Sequence, residues 1–110
     1  GLAHVEAGIT GSMLINEMKR RGYTIGHEPD SIEFSTLGGW IATKASGMKR
    51  NKYGNIEDVV KDVRFVGSDG ILWQGKEGNR SGFARESRGI DLCSLAIGSE
   101  GCFGVVTSAT

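Results

Sequence analysis

Residues 59–75 read VVKDVRFVGSDGILWQG, and no other stretch restricts the fold so tightly. Val63 and Phe65 alternate with Asp62 and Arg64, Ser68-Asp69-Gly70 carries turn chemistry, and Ile71 to Trp73 bring the chain back. That pattern predicts a β-hairpin, which forces antiparallel pairing. Helical signals lie on both sides of it. ITGSMLINEMKRRG, residues 9–22, predicts a helix capped by Thr10 or Ser12, with Leu14, Ile15 and Met18 on one face. Glu17 and Arg21 pair at i, i+4 and Gly22 ends it. LGGWIATKAS predicts a second helix, capped by Ser35 or Thr36 and ended by Gly47, and IDLCSLAIG a third starting at Asp91. LAHVEAG, YTI and CFGVVTSAT read as strands, MKRNKYGNIED as a polar loop turning at Gly54-Asn55, and residues 74–89 as a charged, glycine-rich excursion. Short helices mixed with a hairpin place the chain in the α+β class, with a mixed sheet, rather than in a doubly wound parallel fold.

Several function classes are excluded early. Lys plus Arg and Asp plus Glu number 13 each, giving a formal net charge of zero. Nucleic acid or an anionic membrane as the main partner would select for an excess of bases. A chain of 110 residues makes one small domain or a piece of a larger one, and the opening GLAHVEAG, without methionine, suggests the piece. Cys93 and Cys102 lack the number and spacing of a disulfide framework or a metal site and read as free thiols in a reducing compartment. His4 and His27 are too isolated for zinc, so no metal is expected. GILWQGKE begins like a phosphate-binding loop, but Glu77 stands where Ser or Thr must bind magnesium. The dinucleotide fingerprint and the nucleophile elbow are both missing.

Glycine is the outlier, 18 of 110 residues against roughly 7% in average usage. Two stretches concentrate the question. In GHEPDSIEFSTLGGW, residues 26–40, the single proline is followed by hydroxyls and then by Gly38-Gly39. A helix starting there would present free N–H groups that glycine leaves unshielded, with Ser35, Thr36 and Thr43 as added donors. Ala42, Ala45, Ser46 and Gly47 keep the following surface small enough for a flat ring. The plainer alternative is a small-residue helix packed tightly on a strand, with Ser35 an ordinary cap. In GSEGCFGVV, residues 98–106, glycines at every third position surround Glu100 and lead into a strand. This predicts a turn that lays backbone groups against a ligand, or merely a turn entering a strand. His27, beside Glu28, is an acid–base candidate or a hydrogen-bonding surface residue.

Taken in order, GHEPDSIEFSTLGGWIATKASGMKRNKYGNIED and GSEGCFGVVT resemble the flavoprotein family of vanillyl-alcohol oxidase and p-cresol methylhydroxylase. GHEPDS, EFST and ASGMK resemble its ether-lipid-forming branch in particular. The resemblance implies that residues 1–110 are the second lobe of a PCMH-type FAD-binding domain, with the upstream glycine loop and downstream substrate cap absent. It implies non-covalent FAD, contacted by Asp30, Ser31, Ile32, Glu33, Phe34, Ser35 and Thr36. Further contacts are implied from Gly38, Gly39, Thr43, Lys44, Ala45 and Ser46, then from Glu100, Gly101, Cys102, Phe103, Gly104, Val105 and Val106. His27 is the implied catalytic residue. The implied reaction exchanges the acyl chain of acyl-dihydroxyacetone phosphate for a long-chain fatty alcohol, without net flavin redox change; a hydroxy-acid oxidase is the alternative. A peroxisomal or peroxisome-like location, peripheral membrane association and a homodimer of the full-length protein also come with the resemblance. Cys102 and Phe103 depart from the family's usual Thr and Leu, and Lys44 from its Arg.

Overall fold

The computed structural model describes residues 1–74 and 89–110. The near-match at Gly75 to Glu77 lies outside them, as does the expected excursion apart from its two ends. The elements run β1 (Val5–Glu6), α1 (Gly11–Arg20), α2 (Leu37–Ala42), α3 (Arg50–Tyr53), α4 (Ile56–Val59), β2 (Val63–Val66), β3 (Leu72–Gln74), α5 (Leu92–Ala96) and β4 (Val105–Ala109). The four strands form one sheet in the order β1-β4-β2-β3, with every pair antiparallel. This is the expected α+β class, with an antiparallel sheet in place of the expected mixed one, because the hairpin and the insertion of β4 leave no parallel neighbours.

The hairpin forms where alternation placed it. Phe65 pairs with Trp73 and Val66 with Leu72. Gly67 N–H donates to the Ile71 carbonyl at 3.0 Å, while the Asp69 carboxylate accepts from Ile71 N–H at 3.0 Å. β4 inserts between β1 and β2, and its register against β2 shifts between Arg64 and Phe65, which leaves Thr107 as the extra residue of a bulge. Val63 and Phe65 therefore keep facing inward, toward the helices.

α1 begins at Thr10, whose hydroxyl accepts from Met13 N–H at 3.4 Å. At its end, Gly22 N–H donates to the Lys19 carbonyl and Tyr23 N–H to that of Met18. Those paired bonds satisfy carbonyls that a helix end leaves open. Arg21 and Arg20 both reach Glu17, at 2.6 and 2.9 Å, and hold its carboxyl below the ordinary carboxylate range. Three expectations change. Tyr23 to Ile25 make no strand, because Ile25 turns into the core instead of meeting a partner. The first strand shrinks to Val5–Glu6. The polar loop contains two helical turns, α3 and α4, the second opened by Asn55, whose N–H donates to the Asp58 carboxylate at 2.8 Å.

The core lies between the sheet and α2, α4 and α5. Trp40, Ile41, Ile56 and Val63 are at most 2% exposed, and burying an aliphatic side chain that completely contributes about 1.5–3 kcal/mol. α2 rests on β4 and α4, and α5 on β2 and β3. Among the described residues no helix is long and apolar enough to cross a membrane.

α1 meets the rest of the fold through a close approach at Gly11. A Cβ built there would stand 2.5 Å from the Ile32 carbonyl oxygen and 2.6 Å from the Trp40 ring. Replacing a helical glycine by alanine ordinarily stabilises by about 1 kcal/mol. Gly11→Ala should instead destabilise the protein, by about 1–3 kcal/mol from overpacking. Urea unfolding followed by tryptophan fluorescence would measure it, and a gain in stability would contradict the packing described here.

Candidate functional site

The residues singled out in the sequence collect around α2, six residues long and hence about 9 Å from end to end. Residues 30–36 lie before its first turn. Residues 43–46 follow its last turn, where the loop 98–104 meets them.

The first turn is fully engaged. Leu37 N–H donates to Ile9, Gly38 N–H to Ala7 at 2.8 Å, and Gly39 N–H to the Thr36 hydroxyl at 3.2 Å. These amides do not point at a ligand, contrary to the expectation for Gly38-Gly39. Gly38 sits so close to Ala7 that an added Cβ would approach its methyl to 2.9 Å. Thr36, not Ser35, is the cap. Ser35 Oγ accepts from Trp40 Nε1 at 2.7 Å and donates to the Ser31 carbonyl at 2.8 Å. Thr43 Oγ1 donates to the Gly39 carbonyl at 2.8 Å. Hydroxyls at helix ends compete for nearby backbone groups, so Ser35 and Thr43 spend their O–H on the fold, while the Thr36 oxygen serves it as an acceptor. What remains at this end is the backbone N–H of Asp30, Ser31, Glu33 and Thr36 and the O–H of Ser31 and Thr36, all without an acceptor among the described residues. Asp30 and Glu33 are exposed, Ile32 packs on the core, and Phe34 is 87% exposed.

The helix stops four residues before Ser46, earlier than expected, because Lys44 turns left-handed at φ 53°. Gly98 N–H donates to the Ile41 carbonyl at 2.8 Å and Glu100 N–H to that of Ala42 at 2.9 Å. The loop thus closes the helix from outside and joins residues 43–46 to residues 98–101. Glu100 is left-handed too, at φ 50°. Two non-glycine residues in that region, each costing on the order of 1–3 kcal/mol, make the place a candidate site. Gly104, at φ 152°, lies against β2: a Cβ there would come within 2.2 Å of the Val66 carbonyl oxygen. Its role is to let the loop enter β4. By contrast, the space above Gly101 is open, and the N–H groups of Gly101, Phe103 and Ser46 have no partner among the described residues. Phe103 and Val105 are 48% and 72% exposed, Cys102 is an exposed free thiol, and Val106 and Ala45 face the core.

Free amides and hydroxyls thus stand at both ends of α2, with exposed apolar side chains beside them. This donor set fits FAD, whose phosphates accept from amides and whose rings lie on apolar surface. A cleft of about 240 Å³ opens beside Lys44, between Glu57, Val60 and Lys61 on one side and Asp91, Cys93, Ser94 and Ile97 on the other. Among the described residues no group of three or more His, Cys, Asp or Glu could hold a metal ion.

His27 is no surface residue. It is 1% exposed, its ring centroid lies 5.2 Å from that of Trp40, and Gly47 lies so near that an added Cβ would come within 3.2 Å of Nδ1. Neither ring nitrogen has a hydrogen-bond partner among the described residues. Burial pushes its pKa below the ordinary value of 6.5, and the Glu57 carboxylate opposes that shift without overcoming it. The imidazole is therefore neutral at pH 7, with one N–H to donate and one bare nitrogen. Sequence reasoning missed Glu57 and the part played by Trp40, because only the folded chain brings α4 and α2 to the histidine.

The sequence profile of a family described as FAD binding domain matches residues 1–75. Over 105 residues the chain is 50% identical to the alkyldihydroxyacetonephosphate synthase of Caenorhabditis elegans, covering 96% of this chain and 17% of that protein. It is 43% identical over 107 residues to the Dictyostelium discoideum synthase, covering 97% of this chain and 16% of that protein. The D-lactate dehydrogenase of Archaeoglobus fulgidus is 35% identical over 104 residues, 94% of this chain and 22% of that protein. A solved structure of alkyldihydroxyacetonephosphate synthase superposes with a TM-score of 0.80 at 39% identity, over 97% of this chain and 18% of that chain. The chain thus spans only about a sixth of the length of the synthases it matches.

The buried histidine sets a pH dependence. Its folded pKa lies below its unfolded one, so unfolding takes up a proton as pH falls. The neutral ring's contribution is complete above about pH 6.5 and declines below it, with a slope of at most about 1.4 kcal/mol per pH unit. His27→Phe should flatten that part of the stability profile. Denaturation midpoints between pH 7 and pH 5 would show it, and parallel profiles for the two proteins would refute the burial argument.

Proposed function

We propose, for a chain that belongs to the FAD binding domain family, that its protein is an alkyldihydroxyacetonephosphate synthase. It exchanges the acyl chain of acyl-dihydroxyacetone phosphate for a long-chain fatty alcohol, giving alkyl-dihydroxyacetone phosphate and a fatty acid. The observation that carries this reading is the gap in likeness. Three synthases are 50%, 43% and 39% identical over nearly the whole chain, whereas a glycolate oxidase subunit and two D-lactate dehydrogenases are 32–35% identical. FAD is the family's cofactor, and here it is held without a covalent bond.

Bound flavin supplies nucleophilic chemistry at the substrate carbon with no net redox change. The chain's own residues do the rest. The amides of Ser31, Glu33, Ser46, Gly101 and Phe103 would hold the cofactor through its hydrogen-bond acceptors, and the exposed Phe34, Phe103 and Val105 would offer it apolar surface. Trp40 and Gly47 enclose the His27 imidazole and keep it dry and neutral, the protonation state of a general base. Lys44 is a compact point charge where arginine would offer a two-pronged fork, so it contributes charge rather than a bidentate contact. The reading extends to a peroxisomal or peroxisome-like location, peripheral membrane association and a homodimer of the full-length protein.

Full-length protein incubated anaerobically with acyl-dihydroxyacetone phosphate and labelled fatty alcohol should carry the label into an ether, without lasting flavin bleaching. Flavin bleached by a hydroxy acid, with no ether formed, would select a dehydrogenase instead. A full-length protein that retains no flavin would dismiss both.

A further inference from the structure

Residues 29–35 engage their carbonyls within the fold and leave amides free. The Pro29 carbonyl accepts from Ile32 N–H at 3.2 Å, and that of Ser31 from Phe34 and Ser35 N–H. The Ile32 carbonyl accepts from Ser12 N–H at 3.1 Å and that of Ser35 from Gly11 N–H at 3.0 Å. The amides of Asp30, Ser31 and Glu33 have no acceptor among the described residues. A turn polarised in this way receives acceptors, as a run of free amides does for phosphate. One side chain ties it to the core. Ser35 Oγ accepts from Trp40 Nε1 at 2.7 Å and donates to the Ser31 carbonyl at 2.8 Å. We propose that Ser35 is a positioning residue: its hydroxyl bridges the buried indole to the Ser31 carbonyl and so sets the loop's free amides for FAD, without itself touching the cofactor.

A serine hydroxyl has one proton to donate. Ser35 gives it to the Ser31 carbonyl, so none remains for a ligand, and its oxygen already accepts from the indole. Trp40 is a firm anchor for such a bridge. It is 2% exposed, it belongs to α2, and its ring lies 5.2 Å from that of His27. α1 closes the arrangement, because Gly11 lies where a Cβ would stand 2.6 Å from the Trp40 ring and 2.5 Å from the Ile32 carbonyl oxygen. A buried N–H is nearly always paired, and Ser35 is the acceptor that this indole has. Loss of either half of the bridge loosens the turn that carries the amides, while the bonds from Gly11 and Ser12 keep the loop on α1. One indole thus serves two neighbours: its N–H holds the loop, and its ring bounds the imidazole. The bridge stands on these contacts; its bearing on FAD rests on the reading under Proposed function.

The test reads cofactor affinity and not turnover. Full-length apoprotein would be titrated with FAD while flavin fluorescence is followed. Ser35→Ala should weaken FAD binding by about tenfold, the size of one lost hydrogen bond. Ser35→Thr, which keeps a hydroxyl, should restore most of it. Trp40→benzothienylalanine, which puts sulfur in place of the indole N–H and keeps the ring's shape, should weaken binding as much as Ser35→Ala does. The two changes together should weaken it no further than either alone, because they break one bridge. If the isostere binds FAD like the native protein while Ser35→Ala does not, Ser35 is a direct ligand and the proposal is overturned. Unchanged affinity in both, or losses that multiply, overturns it as well. A merely structural hydroxyl would lower the unfolding midpoint and leave the affinity of the folded protein unmoved. Should Ser35→Ala not fold, the isostere decides alone: weaker FAD binding supports the bridge, and native affinity overturns it. A native protein that binds no FAD would overturn both this role and the reading it rests on, whereas ether formation with unmoved affinities would overturn the bridge alone.

Discussion

A helix as short as α2 makes too few of its own hydrogen bonds to persist in water. It exists because other segments complete it at both ends. Carbonyls of Ala7 and Ile9 take its first amides, and amides of Gly98 and Glu100 reach its last carbonyls. Those four bonds cross long stretches of sequence. They bring the end of β1 against one end of the helix and the approach to β4 against the other. Trp40 and Ile41 enter the core as a result, and the sheet, α4 and α5 pack around them. If either end came loose, the indole would lose its place and the His27 ring beneath it would meet water.

The same constraint decides what can bind. A donor that completes the helix is no longer available to a ligand, which removes the amides of Gly38 and Gly39 and the hydroxyls of Ser35 and Thr43 as free donors although their residue types invited that role. The free groups lie one step outside, in the segments that the helix ends hold in position. Strain is stored at the same place, in left-handed Lys44 and Glu100. Loops that move freely would relax such residues, so their persistence shows how firmly the surrounding bonds define this end of the site.

The departures from family pattern read differently once the contacts are known. Cys102 donates its backbone N–H to the Ser99 carbonyl at 2.9 Å while its thiol faces outward, so exchanging the side chain leaves the turn intact. Lys44 reaches Glu57 by charge at 3.8 Å, an interaction that an ammonium serves as well as a guanidinium at that range. Backbone geometry thus carries the site through changes in side chain.

Local patterns were legible without coordinates. Strand alternation gave away the hairpin, and the cap at Thr10, the Glu17–Arg21 pair and the stop at Gly22 announced α1, because each depends on residues within four positions of one another. The two glycine-bearing stretches were visible as special for the same reason, and their motifs pointed to FAD. What the sequence could not contain was the partner list. Which amides of α2 are consumed, that His27 is buried, and that Glu57 stands near it depend on contacts between residues dozens of positions apart. The sequence by itself determined the α+β class, the hairpin, α1 and the cofactor motifs. Only the tertiary structure decided which polar groups remain free, because a hydrogen-bonding group used within the fold is unavailable to the ligand.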